Sequence, residues 1–142
     1  MKLLVATDGS KASEGAIKYA ARLFKSLSAE NHITLITVQD DSSLRLFKKH
    51  TPKGAVEDYL RENADKNLAW AIKYLNKTKL PHDMAIRYGH PSEQILKEAQ
   101  SGTFDMIIMG TKGRSSWADT FMGSVAQRVV GTSKIPVVLV KS

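Results

Sequence analysis

The chain has 142 residues, no cysteine, and 21 Lys and Arg against 14 Asp and Glu, a formal net charge of +7. That length suits one domain spanning residues 1–142 without a linker, long enough to bury roughly two-thirds of its unfolded surface, and the lack of cysteine excludes disulfides and thiolate metal sites. The longest apolar runs, such as IPVVLV, fall far short of the ~20 residues of a membrane helix, and MKLLVATDG is too short in its apolar part for a secretory signal, so a soluble, cytoplasmic protein without a membrane partner is expected.

KLLVAT is a short apolar run stopping at TDGS, the pattern of a buried strand that ends in a turn. Ser10 is placed to cap the helix that follows, in which Ile17, Ala20, Ala21, Phe24 and Leu27 recur at steps of three and four and form one apolar stripe. HITLITV is β-branched and uninterrupted, and predicts a second strand running into polar QDDSS. Leu44 to Lys53 is basic and weakly patterned. Thr51-Pro52 predicts a cap followed by proline in the first turn of a long helix, along which Val56, Leu60, Ala64, Leu68, Ile72 and Leu75 repeat.

DMAIRYG predicts strand three, and HPSEQILKEAQSG a compact helix with Ile95, Leu96 and Ala99 on one face and Gly102 at its end. DMIIMG predicts strand four. Val125, Val129 and Val130 mark a last helix that Gly131 is placed to close, before strand five in IPVVLV. Strands alternating with helices of this length predict right-handed crossovers, and hence a doubly wound parallel sheet of five strands with helices on both faces. Pro136 lacks a donor, which places the last strand at an edge, and an edge as apolar as VVLV predicts pairing with a second copy over Pro136 to Val140.

In such a sheet, ligands sit beyond the carboxyl ends of the strands where their order reverses. Two loops leaving those ends stand out: ATDGS after strand one and GTKGRSS after strand four. With strand order 3-2-1-4-5 they are neighbours. Gly110 and Gly113 let the backbone between them turn successive N–H groups inward as an anion nest, and Lys112 and Arg114 add positive charge. Nine residues after Gly113, Gly123-Ser124 opens a helix whose free N–H groups attract phosphate. Strand-to-helix glycines are also common loop punctuation, so spacing alone leaves a structural role open. Neither a P-loop nor a G-x-G-x-x-G fingerprint is present, so an ATPase or NAD enzyme of those kinds is not expected.

Gly110-x2-Gly113-x9-Gly123-Ser124 resembles the nucleotide-binding motif of the universal stress protein family, G-x2-G-x9-G-[ST] in its ATP-binding members. LLVATDGS, ITLITV, the G-x-P-x3-I pattern of GHPSEQILKEA, and MIIMGTKGR with GSVAQRVV and IPVVLV are similar to successive family segments across the whole chain. The resemblance implies a Rossmann-like sheet of order 3-2-1-4-5, a homodimer through strand five, and a stress-response regulator that binds ATP, or AMP or ADP, with Mg²⁺ on the phosphates. Residue by residue it implies that Ala6, Thr7 and Asp8 line the adenosine end, that Val38 touches the base, that Met109 and Gly110 sit near the ribose, and that Gly113, Gly123, Ser124 and Val125 hold phosphates. Occupancy of the site is expected to order the Gly110 to Gly123 loop and so alter a surface for an unknown protein partner.

This chain departs from the family in having Ala6 where proline is frequent and Ser115 where glycine is frequent, and in the bulk of Trp117 and Phe121. Asp8 suits a ribose hydroxyl or an adenine amino group, with bracing of the turn as its structural alternative. His90 is placed to reach a phosphate or to serve the turn. No G-x-S-x-G or H-E-x-x-H pattern and no clear catalytic base is found, so slow hydrolysis at most is expected. Two alternatives remain open: a nucleotide-free regulatory dimer, and a nucleic-acid module on the basic face, for which the expected interleaving of aromatic and basic residues is missing. The basic segment RLFKKHTPK is not required by nucleotide binding.

Overall fold

The computed structural model describes residues 1–113 and 121–141, so Arg114, Ser115 and Trp117 lie outside the described residues. In chain order the elements are β1 (Lys2–Ala6), α1 (Lys11–Ser26), β2 (His32–Gln39), a 3₁₀ helix (Arg45–His50), α2 (Ala55–Thr78), β3 (His82–Tyr88), α3 (Pro91–Ser101), β4 (Met106–Gly110), α4 (Ser124–Thr132) and β5 (Val137–Val140). The strands form one parallel sheet of order β3-β2-β1-β4-β5, with helices on both faces.

Alternation along the strands builds two cores. Leu3, Val5, Ile33, Leu35 and Ile108 face Ile17, Ala20 and Ala21 of α1 and Leu68, Ala71 and Leu75 of α2. Leu4, Ile36 and Ile107 face Ile95, Leu96 and Ala99 of α3 and Ala126 and Val129 of α4. A side chain such as Leu4, with no exposed surface, gains roughly 1.5–3 kcal/mol from its burial. The central strand β1 is buried on both sides beyond Lys2, whereas the four residues of β5 are only half-buried, as expected of an edge.

Two boundaries differ from the sequence expectation. Helix α2 starts at Ala55, not at Thr51-Pro52, because Gly54 takes φ 88°, a left-handed conformation that a helix does not contain. The basic segment before it forms the 3₁₀ helix, with Leu46 and Phe47 exposed. Gly131 does not close α4. It lies inside the helix, which ends at Thr132, and the Ser133 N–H bonds Val129 O at 2.8 Å.

Candidate functional site

The two loops singled out by their glycines lie side by side at the carboxyl ends of β1 and β4. After β1, the Thr7 N–H donates to Ile36 O at 2.9 Å, the Thr7 hydroxyl donates to Ser13 Oγ at 3.0 Å, and the Ser10 N–H donates to Asp8 Oδ1 at 2.9 Å. Gly9 supplies the left-handed turn (φ 78°) that lets the chain double back into α1. Ser10 caps α1, accepting from the Ser13 N–H at 3.2 Å. Asp8 therefore braces the turn with one oxygen, while the other lies against the β4 loop: a Cβ built on Gly113 would sit 2.9 Å from Asp8 Oδ2.

After β4, the Thr111 N–H bonds Val140 O at 3.2 Å, and the Gly123 N–H bonds Thr111 O at 2.7 Å, so both flanks of the glycine loop are pinned to one point. Gly123 is the N-cap of α4 and offers no side-chain cap, so the first N–H groups of that helix have neither an intrahelical acceptor nor a cap from their own N-cap residue. A Cβ on Gly123 would lie 3.4–3.6 Å from Thr111 O, the Lys112 Cα and the Gly113 N.

Between these loops opens a cleft of about 300 Å³, within the range of ligand pockets. Of the residues expected at the site, Ala6, Thr7, Asp8, Val38, Met109, Gly110, Lys112, Gly113, Gly123, Ser124 and Val125 all line it, and Arg114 lies outside the described residues. Its two ends differ. Toward β4 and α4 it offers backbone N–H groups, the Ser124 hydroxyl and Lys112; toward β2 and α3 it is walled by Ile36, Val38 and Ile95. Such a cleft suits a ligand with an anionic tail and a flat apolar head.

Sequence reasoning missed Ser13, Gln39 and Asn67, which also line the cleft. Ser13 lies in the first turn of α1, Gln39 ends β2 where the sequence turns into polar QDDSS, and Asn67 falls between apolar positions of α2, so none carries a local signal. His90 occupies the N-cap position of α3 in extended conformation without a side-chain capping bond, has its Nδ1 3.0 Å from Ser92 Oγ, and does not line the cleft. Phe121 is exposed and likewise outside it. Following Gln39 in the chain, the exposed Asp40 is held below the ordinary carboxylate range, first by a hydrogen bond from the Ser42 side chain and then by the Ser42 N–H, with slight desolvation opposing and His90 adding a smaller attraction. Among the described residues no group of three or more His, Cys, Asp or Glu gathers as a metal site, and no helix is long and apolar enough to cross a membrane.

The model of the universal stress protein family matches residues 1–141. Universal stress protein MJ0577 of Methanocaldococcus jannaschii is 32% identical over 154 residues, covering 99% of this chain and 94% of that protein. Its solved structure superposes with a TM-score of 0.85 at 27% identity, over 99% of this chain and 95% of that one. A universal stress protein from Archaeoglobus fulgidus, solved in complex with dAMP, shares the fold at TM-score 0.71 and 21% identity, with 99% and 98% covered. The strand order, the paired loops at the sheet's switch point and the match along nearly the whole chain agree: this protein belongs to the universal stress protein family.

Proposed function

We propose that the cleft binds an adenine nucleotide, ATP in the first instance, and that the protein is a nucleotide-dependent regulator acting as a dimer on a protein partner. The observation that carries this reading is the polarity of the cleft along its length. Helix α4 brings the N–H groups of its first turn, which have no intrahelical acceptor, and its partial positive end to the place where Gly113 and Gly123 keep the wall free of side chains, so phosphates fit there. About 10 Å away, two strand spacings across the sheet, the wall formed by Ile36, Val38 and Ile95 suits a base. Asp8 lies between, an acceptor for a ribose hydroxyl, and would repel phosphate if the ligand lay the other way round. The dAMP held by the A. fulgidus neighbour is a ligand of this chemistry on the same fold. Mg²⁺, where ATP brings it, is held chiefly by phosphate oxygens, which few protein carboxylates need supplement.

Titration calorimetry with ATP tests the reading, together with thermal melting. Saturation at one site per chain is expected, and ATP at a hundred times its Kd stabilises the fold by about 2.7 kcal/mol, enough to raise the midpoint several degrees. A silent titration and an unmoved midpoint would leave a nucleotide-free regulator.

Dimerisation through β5 rests on its edge. Pro136 O and Val140 O accept from Ile107 and Thr111 of the neighbouring strand and loop, so the N–H and C=O groups of Val137 and Leu139 point outward with no strand beyond them among the described residues. Sedimentation velocity at micromolar concentration should return twice the chain mass; a single monomer species would remove the dimer.

A further inference from the structure

Residues 42–56 carry no acid and hold Arg45, Lys48, Lys49 and Lys53, with His50 among them. This is the basic segment that nucleotide binding does not require, and none of it lines the cleft. Its 3₁₀ helix has no buried residue, and Leu46 and Phe47 at its centre are 78% and 59% exposed. Single apolar residues on a surface are ordinary, but two adjacent ones on an element that buries nothing add nothing to the core. The segment is nevertheless held in shape. The Arg45 N–H donates to Asp41 O at 3.0 Å, the Phe47 N–H to Leu44 O at 3.1 Å, and the Thr51 hydroxyl to Phe47 O at 3.3 Å.

Two ion pairs set which way it faces. Residues three apart eclipse one another in a 3₁₀ helix, so the rows here are Arg45 with Lys48, Leu46 with Lys49, and Phe47 with His50. The first row is tied to the body of the protein, Arg45 Nε to Asp41 Oδ2 at 3.0 Å and Lys48 Nζ to Glu57 Oε1 at 2.8 Å. Ion pairs this exposed add little stability, yet they turn the other two rows outward. The outer side therefore presents two apolar tips with Lys49 and His50 eclipsed behind them, and the exposed Lys53 follows.

We propose that this segment docks on an anionic lipid surface, Leu46 and Phe47 entering the headgroup layer while Lys49 and Lys53 meet lipid phosphates. The charge is complementary, since nothing acidic interrupts the cations from residue 42 to residue 56. The apolar tips stand out from the protein, which suits a flat, yielding interface and not a peptide that needs a groove to lie in. A second copy of the chain is a poor match, because it brings the same net charge of +7. Among the described residues no helix is long and apolar enough to cross a membrane, and the contact is with the surface alone. Because the segment lies between the carboxyl end of β2 and the start of α2, docking turns the cleft end of the sheet toward the lipid. The proposal does not rest on the nucleotide reading.

The test is sedimentation of the full chain with vesicles of phosphatidylcholine alone and of phosphatidylcholine mixed with an equal amount of phosphatidylglycerol. Binding is expected to the mixed vesicles only, and it should weaken as salt is raised. Leu46→Ser with Phe47→Ser should lower it about tenfold at unchanged charge, and Lys49→Gln with Lys53→Gln about thirtyfold. All four residues are exposed, so melting midpoints should match wild type. Lys25→Gln with Lys77→Gln removes the same charge from the far ends of α1 and α2 and should leave binding nearly unchanged. No binding to the mixed vesicles, or equal binding to both kinds, overturns the proposal. So does binding that survives the loss of Leu46 and Phe47, or that falls as much in the Lys25 and Lys77 control, since either result marks a general attraction of net charge. Polyglutamate and oligodeoxythymidylate supply negative charge without hydrocarbon. If either binds wild type as tightly as the mixed vesicles and is lost with Leu46 and Phe47, the surface belongs to an acidic protein or to nucleic acid, and the lipid is overturned.

Discussion

Replacing Gly113 with valine is expected to lower ATP affinity about a hundredfold, roughly 2.7 kcal/mol, while moving the melting midpoint by only a few degrees. A side chain at this position starts 2.9 Å from Asp8 Oδ2 and extends into the cleft that the two loops share. What it meets is the end of a carboxylate, which can shift, so the fold yields at small cost. On the proposed reading the ligand does not escape so cheaply, because valine occupies the space where phosphates would approach the backbone and displaces Asp8, the acceptor proposed for the ribose. Gly123→Val makes a useful companion: its Cβ would lie at ordinary contact distance, 3.4 Å from Thr111 O, so the fold should tolerate it while the helix entrance narrows. Calorimetry paired with thermal melts separates the two effects. Wild-type affinity in a folded Gly113→Val protein would mean that the glycine serves the loop alone.

Gly110→Ala is expected to act the other way round, on the fold more than on the ligand, with a loss of about 1–3 kcal/mol. A Cβ there would stand 3.0 Å from both the carbonyl carbon and oxygen of Ala12 and 3.2 Å from its Cβ. These atoms belong to the first turn of α1, whose backbone can withdraw only by lifting the helix from β4. Burial of Ile17, Ala20 and Ala21 depends on that contact. The same substitution at Gly131 provides the contrast, since a Cβ there meets nothing within 4 Å and the residue lies inside α4. Alanine should stabilise that helix by about 0.5–1 kcal/mol. Urea unfolding of both variants checks the pair; equal and small effects would show that α1 is free to move off the sheet.

The glycines show how far the sequence could be read. Their spacing pointed to one loop, yet in the structure they do separate jobs: Gly110 admits a helix backbone, Gly113 admits the Asp8 carboxylate, and Gly123 heads α4. Nothing local distinguishes these roles. Thr51-Pro52 is a sound helix opening by itself, and only the left-handed Gly54 two residues later postpones α2 to Ala55. Glycine often ends a helix, which makes Gly131 a terminus on sequence grounds, whereas packing of Val129 against the second core carries α4 past it.

Sequence alone determined the alternation of strands and helices, the edge position of the Pro136 strand and the family, because apolar period, turn residues and motif spacing are written within short stretches of chain. The tertiary structure decided that Asp8 faces Gly113, that Gln39 is buried beside the cleft with an unpaired donor, and that Ser13 and Asn67 share that cleft. These residues lie on different elements, and what they touch depends on crossover connections and strand register, which bring together atoms whose own neighbours in sequence give no sign of it.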